Sequence, residues 1–182
     1  MPRKKSTAEK TPAEATAPGP AAGVEAAEIR QAVVFRLEAQ FYALPIDAVQ
    51  EIQQIVEFRP VPDSSAALIG MVDVRGTVIP AIDLRLLIGL PAAEHGLETP
   101  MILCRAHGRL VALIVDEVED VVSVPPGCIQ EPSKLYTLAD RMIGVCRLDV
   151  GLVLLLDADR LVPDETLAPL DALAEERADD EA

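Results

Sequence analysis

The chain has no tryptophan, two tyrosines and three phenylalanines in 182 residues. A surface that stacks bases needs aromatic faces, so nucleic acid is not an expected partner. A net charge of −14 repels phosphate further. There are two imidazoles: His95 falls in a Pro- and Ala-rich loop and His107 in a hairpin turn, and both are predicted to be exposed. No G-x-S-x-G elbow accompanies them, so a nucleophile with its base is not expected. The three cysteines, Cys104, Cys128 and Cys146, have no CxxC spacing, which argues against a zinc site and a disulfide framework. Cys104 and Cys146 lie in apolar runs and are predicted to be buried free thiols, as suits a reducing cytoplasm. No apolar run reaches the roughly 18 residues of a membrane span, and Arg3, Lys4 and Lys5 are followed by no apolar core, so no signal peptide is expected. Phosphate loops of the GxxxxGK[ST] or GxGxxG kind are absent. Asp157-Ala158-Asp159 starts like a calcium loop but lacks its glycine and distant glutamate. Neither a cofactor nor a metal is expected.

Half of the residues are hydrophobic, and the core must be built from Val, Ile, Leu and Ala. Residues 1–28 have almost nothing large to bury and are predicted to be a disordered tail. Residues 29–162 form the globular part. Residues 163–182 are an acidic, mostly disordered tail. Asp164, Glu165, Asp171, Glu175, Glu176, Asp179, Asp180 and Glu181 face Arg177 alone there, which accounts for half of the net charge. Leu167, Leu170 and Leu173 fall on a weak helical face of that tail.

Between the tails the pattern is of short β-type runs. In Gly70-Met71-Val72-Asp73-Val74-Arg75-Gly76-Thr77-Val78-Ile79-Pro80-Ala81-Ile82-Asp83-Leu84 two apolar runs flank Arg75-Gly76. That pattern predicts a tight hairpin with Arg75 at its tip and Gly76 supplying positive φ. Pro80 predicts an edge or bulged strand. Asp83 is placed to cap a short helix from Leu84 to Ile88, and a second short helix is predicted from Asp157 to Leu161. Residues 36–52 recur at a constant offset of 69, and the hairpin recurs between Gly144 and Asp157, where no arginine stands at the tip. Self-similarity at this period predicts two like barrels of about five short strands each. The first would be about 31–90 with a closing C-terminal segment and the second about 100–155. Barrels this small would share a further apolar interface.

The repeat makes Asp47 and Asp116 equivalent, and likewise Asp83 and Asp157. A bilobal hydrolase pairs two such carboxylates across its lobes. The tight Gly-bearing loops that chemistry needs are missing, so turn and cap bonding to backbone amides is the expected role. A β core without a chemical site points to a binding module. A two-lobed aspartate-dependent hydrolase and a stand-alone β-barrel scaffold are the alternatives.

The hairpin segment resembles the signature of the CheW coupling domain of bacterial chemotaxis: Gly, two residues, Asn, aliphatic, Arg, Gly, three residues, Pro, two residues, Asp, Leu. Tyr42-Ala43-Leu44-Pro45-Ile46 with Val49-Gln50-Glu51-Ile52, Val111 to Val118, and Ile143-Gly144 with Val153 to Asp157 add to the resemblance, which covers roughly Gln31 to Val162. It implies an all-β fold of two intertwined SH3-like five-stranded barrels with short helices, one near the C-terminus. It implies a non-enzymatic adaptor that holds a CheA-type histidine kinase, through the kinase's regulatory domain, to the cytoplasmic tips of methyl-accepting chemoreceptors. It places the protein in the cytoplasm at membrane-associated receptor arrays, with no insertion into the membrane itself. By the same resemblance Arg75, Asp73, Val49 and Glu51 are receptor-binding, and Glu51, Ile52 and Gln54 kinase-binding. The chain departs from the pattern at Asp73, where Asn is usual, and at Ser65-Ala66-Ala67, where Pro-x-Phe is usual. Asp73 accepts hydrogen bonds but cannot donate those of an amide, and a pairing with Arg75 would blunt the arginine.

Overall fold

A computed structural model describes residues 29–62 and 64–167; the N-terminal tail and the acidic tail beyond Leu167, with Leu170 and Leu173, lie outside them. The described elements are β1 (Gln31–Leu37), β2 (Gln40–Pro45), β3 (Val49–Gln54), β4 (Phe58–Arg59), β5 (Leu68–Val74), β6 (Thr77–Asp83), α1 (Leu84–Leu87), β7 (Pro100–Ala106), β8 (Arg109–Ile114), β9 (Glu117–Ser123), β10 (Met142–Leu148), β11 (Gly151–Leu156) and α2 (Ala158–Leu161). The strands form a six-stranded sheet, β3-β7-β8-β6-β5-β4, and a five-stranded one, β10-β11-β2-β1-β9. This is the all-β, two-barrel SH3-like fold.

Strand membership departs from a division of the chain into halves. The hairpin β1–β2 of the first half sits in the five-stranded sheet, and β7–β8 of the second half sits in the six-stranded one. Each exchanged hairpin sits between two host strands, joined by one parallel ladder, β11–β2 or β6–β8, and one antiparallel ladder, β1–β9 or β3–β7. The reason lies in which faces are apolar. Val33, Phe35, Leu37 and Leu44 point into a central core with Ile102, Cys104, Val111 and Leu113. The alternate residues Val34 and Ala43 fill the five-stranded barrel. Met101, Leu103, Ala112 and Ile114 fill the six-stranded barrel. A hairpin apolar on both faces needs cover on both, and only the middle of the molecule provides it. The central core is the shared interface that the small size of each barrel called for.

The caps follow the sequence closely. Asp83 Oδ1 accepts from the Leu86 amide at 3.2 Å and starts α1. Asp157 Oδ1 accepts from the amides of Asp159 and Arg160 and starts α2. The strand carrying Pro80 is internal rather than at an edge, because β6 pairs with both β5 and β8. The parallel ladder to β8 begins only at Ala81, so the missing Pro80 donor is not needed there. Gly70 and Gly144 are equivalent, and each lets another strand pass close by. A Cβ on Gly70 would lie 2.5 Å from the Arg59 carbonyl oxygen, and one on Gly144 2.5 Å from that of Gln130.

Two side-chain expectations are corrected. Cys146 is not a free thiol: it is bonded to Cys128, with Cα atoms 5.3 Å apart. A two-bond bridge between Gln130 and Val145 brings the two segments together. Cys104 is buried and free, and burial, with the charge of Asp159, pushes its thiol up to about 12. His95 is not the exposed loop residue expected, whereas His107 is exposed. His95 Nε2 donates to the buried Asp83 Oδ2 at 2.9 Å. The His107 amide donates to Asp159 Oδ1 at 2.6 Å and its Nε2 donates to the Val162 carbonyl at 2.9 Å.

Candidate functional site

The hairpin β5–β6 turns on two residues, Arg75 at φ 54° and Gly76 at φ 85°. Both values are positive, as the turn that matches strand twist requires. Asp73 Oδ1 accepts from the Gly76 amide at 2.7 Å. The acidic side chain therefore braces the turn from within. In place of a pairing between Asp73 and Arg75, Arg75 Nη2 donates to Glu51 Oε1 at 2.6 Å. The guanidinium stays 77% exposed, while Glu51 is 29% exposed.

Glu51 belongs to β3, which three strands separate from β5 in the order of the sheet. The ion pair therefore spans the seam where the sheet curls back on itself. On β3, Val49, Glu51 and Gln53 are half-buried and Gln50, Ile52 and Gln54 are exposed. Val49 packs against the central core. A register shift falls between Val49 and Glu51, and the extra residue, Gln50, accepts from Arg105 Nη2 at 3.4 Å. The shift sets Val49 opposite Cys104, facing the central core, and Glu51 opposite Leu103 on the other face, from which Glu51 reaches the hairpin that carries Arg75 and Asp73. Ile52, 39% exposed and opposite Ile102, stands on the face away from Glu51. So does Gln54, whose amide donates to Glu98 Oε2 at 3.1 Å. Of the residues named for receptor contact, Arg75, Asp73 and Glu51 meet at the hairpin, whereas Val49 faces the central core; Ile52 and Gln54 are on the face away from Glu51. The Arg75–Glu51 contact was not readable from sequence, because nothing local marks a pair on two strands that are not neighbours.

Three of the four paired aspartates, Asp83, Asp116 and Asp157, are engaged elsewhere. Asp116 is held by Arg85 Nε and Nη2 at 2.6 and 2.9 Å and by the Glu38 amide at 2.7 Å. Burial alone raises this carboxyl. The Arg85 hydrogen bonds, the Glu38 amide and the charges of Arg85 and Arg36 outweigh it, and Asp116 titrates below its ordinary 3.8. Asp47 is exposed on a 3₁₀ turn, Ile46–Ala48. Asp157 Oδ2 lies 3.3 Å from Arg160 Nε. None of these contacts joins two carboxylates, as a shared proton would require. Among the described residues no three His, Cys, Asp or Glu are grouped to hold a metal, and no helix is long and apolar enough to cross a membrane.

The depressed Asp116 carboxyl sets a pH dependence. Its contribution to stability is full above the unfolded value of about 3.9 and is lost as pH falls through the lower folded value. Asp116→Asn is expected to cost about 1–3 kcal/mol at pH 7. It should also flatten the acid limb, so that urea unfolding at pH 7 and pH 2.5 differs less in the variant than in the native chain.

The sequence model of the CheW-like domain matches residues 31–166. "Chemotaxis protein CheW" of Rhizobium meliloti is 29% identical over 138 residues, which are 75% of this chain and 89% of that protein. The protein of the same name in Klebsiella aerogenes is 28% identical over 144 residues, 78% of this chain and 87% of its own. Among solved structures, the scaffolding protein TtCheW of Thermoanaerobacter tengcongensis superposes with a TM-score of 0.68 at 26% identity, covering 72% of this chain and 91% of that one.

Proposed function

The chain belongs to the CheW-like domain family, and from that premise we propose that it is a non-enzymatic adaptor that couples chemoreceptors to a CheA-type histidine kinase. The adaptor unit is residues 29–162, working in the cytoplasm at membrane-associated receptor arrays. Arg75, Asp73, Val49 and Glu51 meet the receptor tip; Glu51, Ile52 and Gln54, along the same strand, meet the kinase's regulatory domain. The observation that supports this most is the Arg75–Glu51 pair. It sets an exposed, oriented guanidinium on a braced hairpin, beside a half-buried strand face. A rigid charge beside partly apolar surface suits the flank of a helical partner, which an apolar groove holds and a charge orients.

The test is calorimetric titration of the full chain with a soluble receptor-tip fragment and with a kinase regulatory domain, both encoded in the same genome. Saturable binding of each is expected at roughly micromolar affinity. Absence of heat with both, up to about 50 μM, would overturn the reading.

A further inference from the structure

The Cys128–Cys146 bond stands where the other barrel has something different. In the six-stranded barrel the segment after β3 returns as β4 and pairs with β5 through Phe58–Val72 and Arg59–Met71. Phe58 packs against that barrel's core. In the five-stranded barrel the equivalent segment, after β9, makes only the Gln130–Val145 bridge to β10. Cys146 occupies the position of Val72 within the repeat, and Cys128 reaches it from the turn that its amide closes onto the Pro125 carbonyl at 3.1 Å. The covalent bond takes over from strand pairing and an aromatic anchor.

The two sulfurs differ in access. Cys146 is 3% exposed, among Val34, Ala43, Val153 and Leu155. Cys128 is half-buried, beside the exposed Pro125, Pro126 and Gly127. A thiolate arriving from solvent meets Cys128 first. In a reducing compartment, disulfides that do form are transient or redox-sensing.

We propose that Cys128 and Cys146 form a reversible redox site that sets how firmly residues 125–130 are held to β10. Opening requires a dithiol reductant of the thioredoxin class. One of its thiolates bonds to Cys128 Sγ and displaces Cys146, which takes up a proton. Its second thiol then attacks the mixed disulfide, releases Cys128 as a thiol and leaves the reductant oxidised. Hydrogen peroxide closes the site: the two thiols lose two electrons and two protons, the S–S bond forms, and peroxide is reduced to two waters. Cys104, deep in the central core, takes no part.

The experiment counts thiols in the full chain by alkylation with a maleimide-polyethylene glycol after denaturing quench. The oxidised protein should label once, at Cys104. After native treatment with thioredoxin and its reductase it should label three times, and after peroxide once again. Amide exchange at residues 127–130 and at Val145 should be at least about tenfold faster in the reduced form. Cys128→Ser, at the more accessible position, should exchange like the reduced native chain whatever the oxidant. One label after reductase treatment would make the bond a fixed staple and overturn reversibility. Three labels after peroxide would overturn the site altogether. Equal exchange in both states would overturn its control of the segment.

Discussion

Arg75→Glu is expected to weaken binding of the receptor-tip fragment by about 30-fold or more, some 2 kcal/mol, while leaving the fold in place. The two halves of that expectation come from the same contact. Within the molecule, the guanidinium is 77% exposed and its bond is to a single carboxylate oxygen of Glu51. Exposed pairs of this kind contribute about 0–1 kcal/mol, so thermal unfolding should barely move. At a partner surface the same group would be desolvated, and reversing its charge removes an attraction and adds a repulsion. The glutamate would also face Glu51 and swing the side chain away. A double exchange, Arg75→Glu with Glu51→Arg, separates the two roles. It restores an ion pair across the seam but presents the wrong charge at the tip, and it should not restore binding. Native-like affinity in Arg75→Glu would remove the arginine from the contact; unfolding of the variant would make it structural.

Phe35→Ala is expected to cost about 3–5 kcal/mol and to lower the melting temperature by about 10 °C or more. Phe35 is fully buried in the central core. Its ring stacks on Tyr42 with centroids 6.0 Å apart and planes 19° off parallel. In β1 it faces Tyr42 of β2 on one side and Val118 of β9 on the other, at the point where the β1–β9 register shifts. Relaxation into the gap is restricted, because β1 is held on both edges and packed on both faces. With domains of this size stable by about 5–15 kcal/mol, the variant should show a measurable unfolded fraction in mild urea. A loss under about 1 kcal/mol would mean that the two barrels slide together to close the space.

What could be read in the sequence was what is local or repeated. Gly76 between two alternating runs announced the hairpin and its arginine tip. Asp83 and Asp157 ahead of short apolar turns announced the caps. The constant offset announced two barrels. The exchange of hairpins could not be read, because strands buried on both faces carry the same near-continuous apolar pattern in either sheet. The disulfide escaped for a similar reason: Cys128 and Cys146 are 18 residues apart, and only the turn at Pro125 and the Gln130–Val145 bridge bring them together. At the site, hairpin and brace were present locally, but the bulge at Gln50 parts Val49 from the face of Glu51 that simple alternation gave it, and Asp73 had two partners open to it. The amide three residues ahead is offered by the turn itself, and Glu51 reaches the guanidinium only after the sheet has curled.

The exchanged hairpins also bear on how the chain is made. β1 ends at Leu37 and the strand that covers its outer edge, β9, begins at Glu117. At about 5–20 residues per second, a ribosome holds the first hairpin without that partner for on the order of ten seconds. Its two apolar faces must wait, while β3 to β6 emerge and find that their own barrel lacks β7 and β8. The six-stranded barrel cannot be completed until β7 and β8 of the second half are made, and the five-stranded one is completed only when β11 emerges near the end of the chain. Assembly is therefore a late, concerted event, and a ribosome that stalls between Asp83 and Pro100 leaves an aggregation-prone fragment rather than half an adaptor.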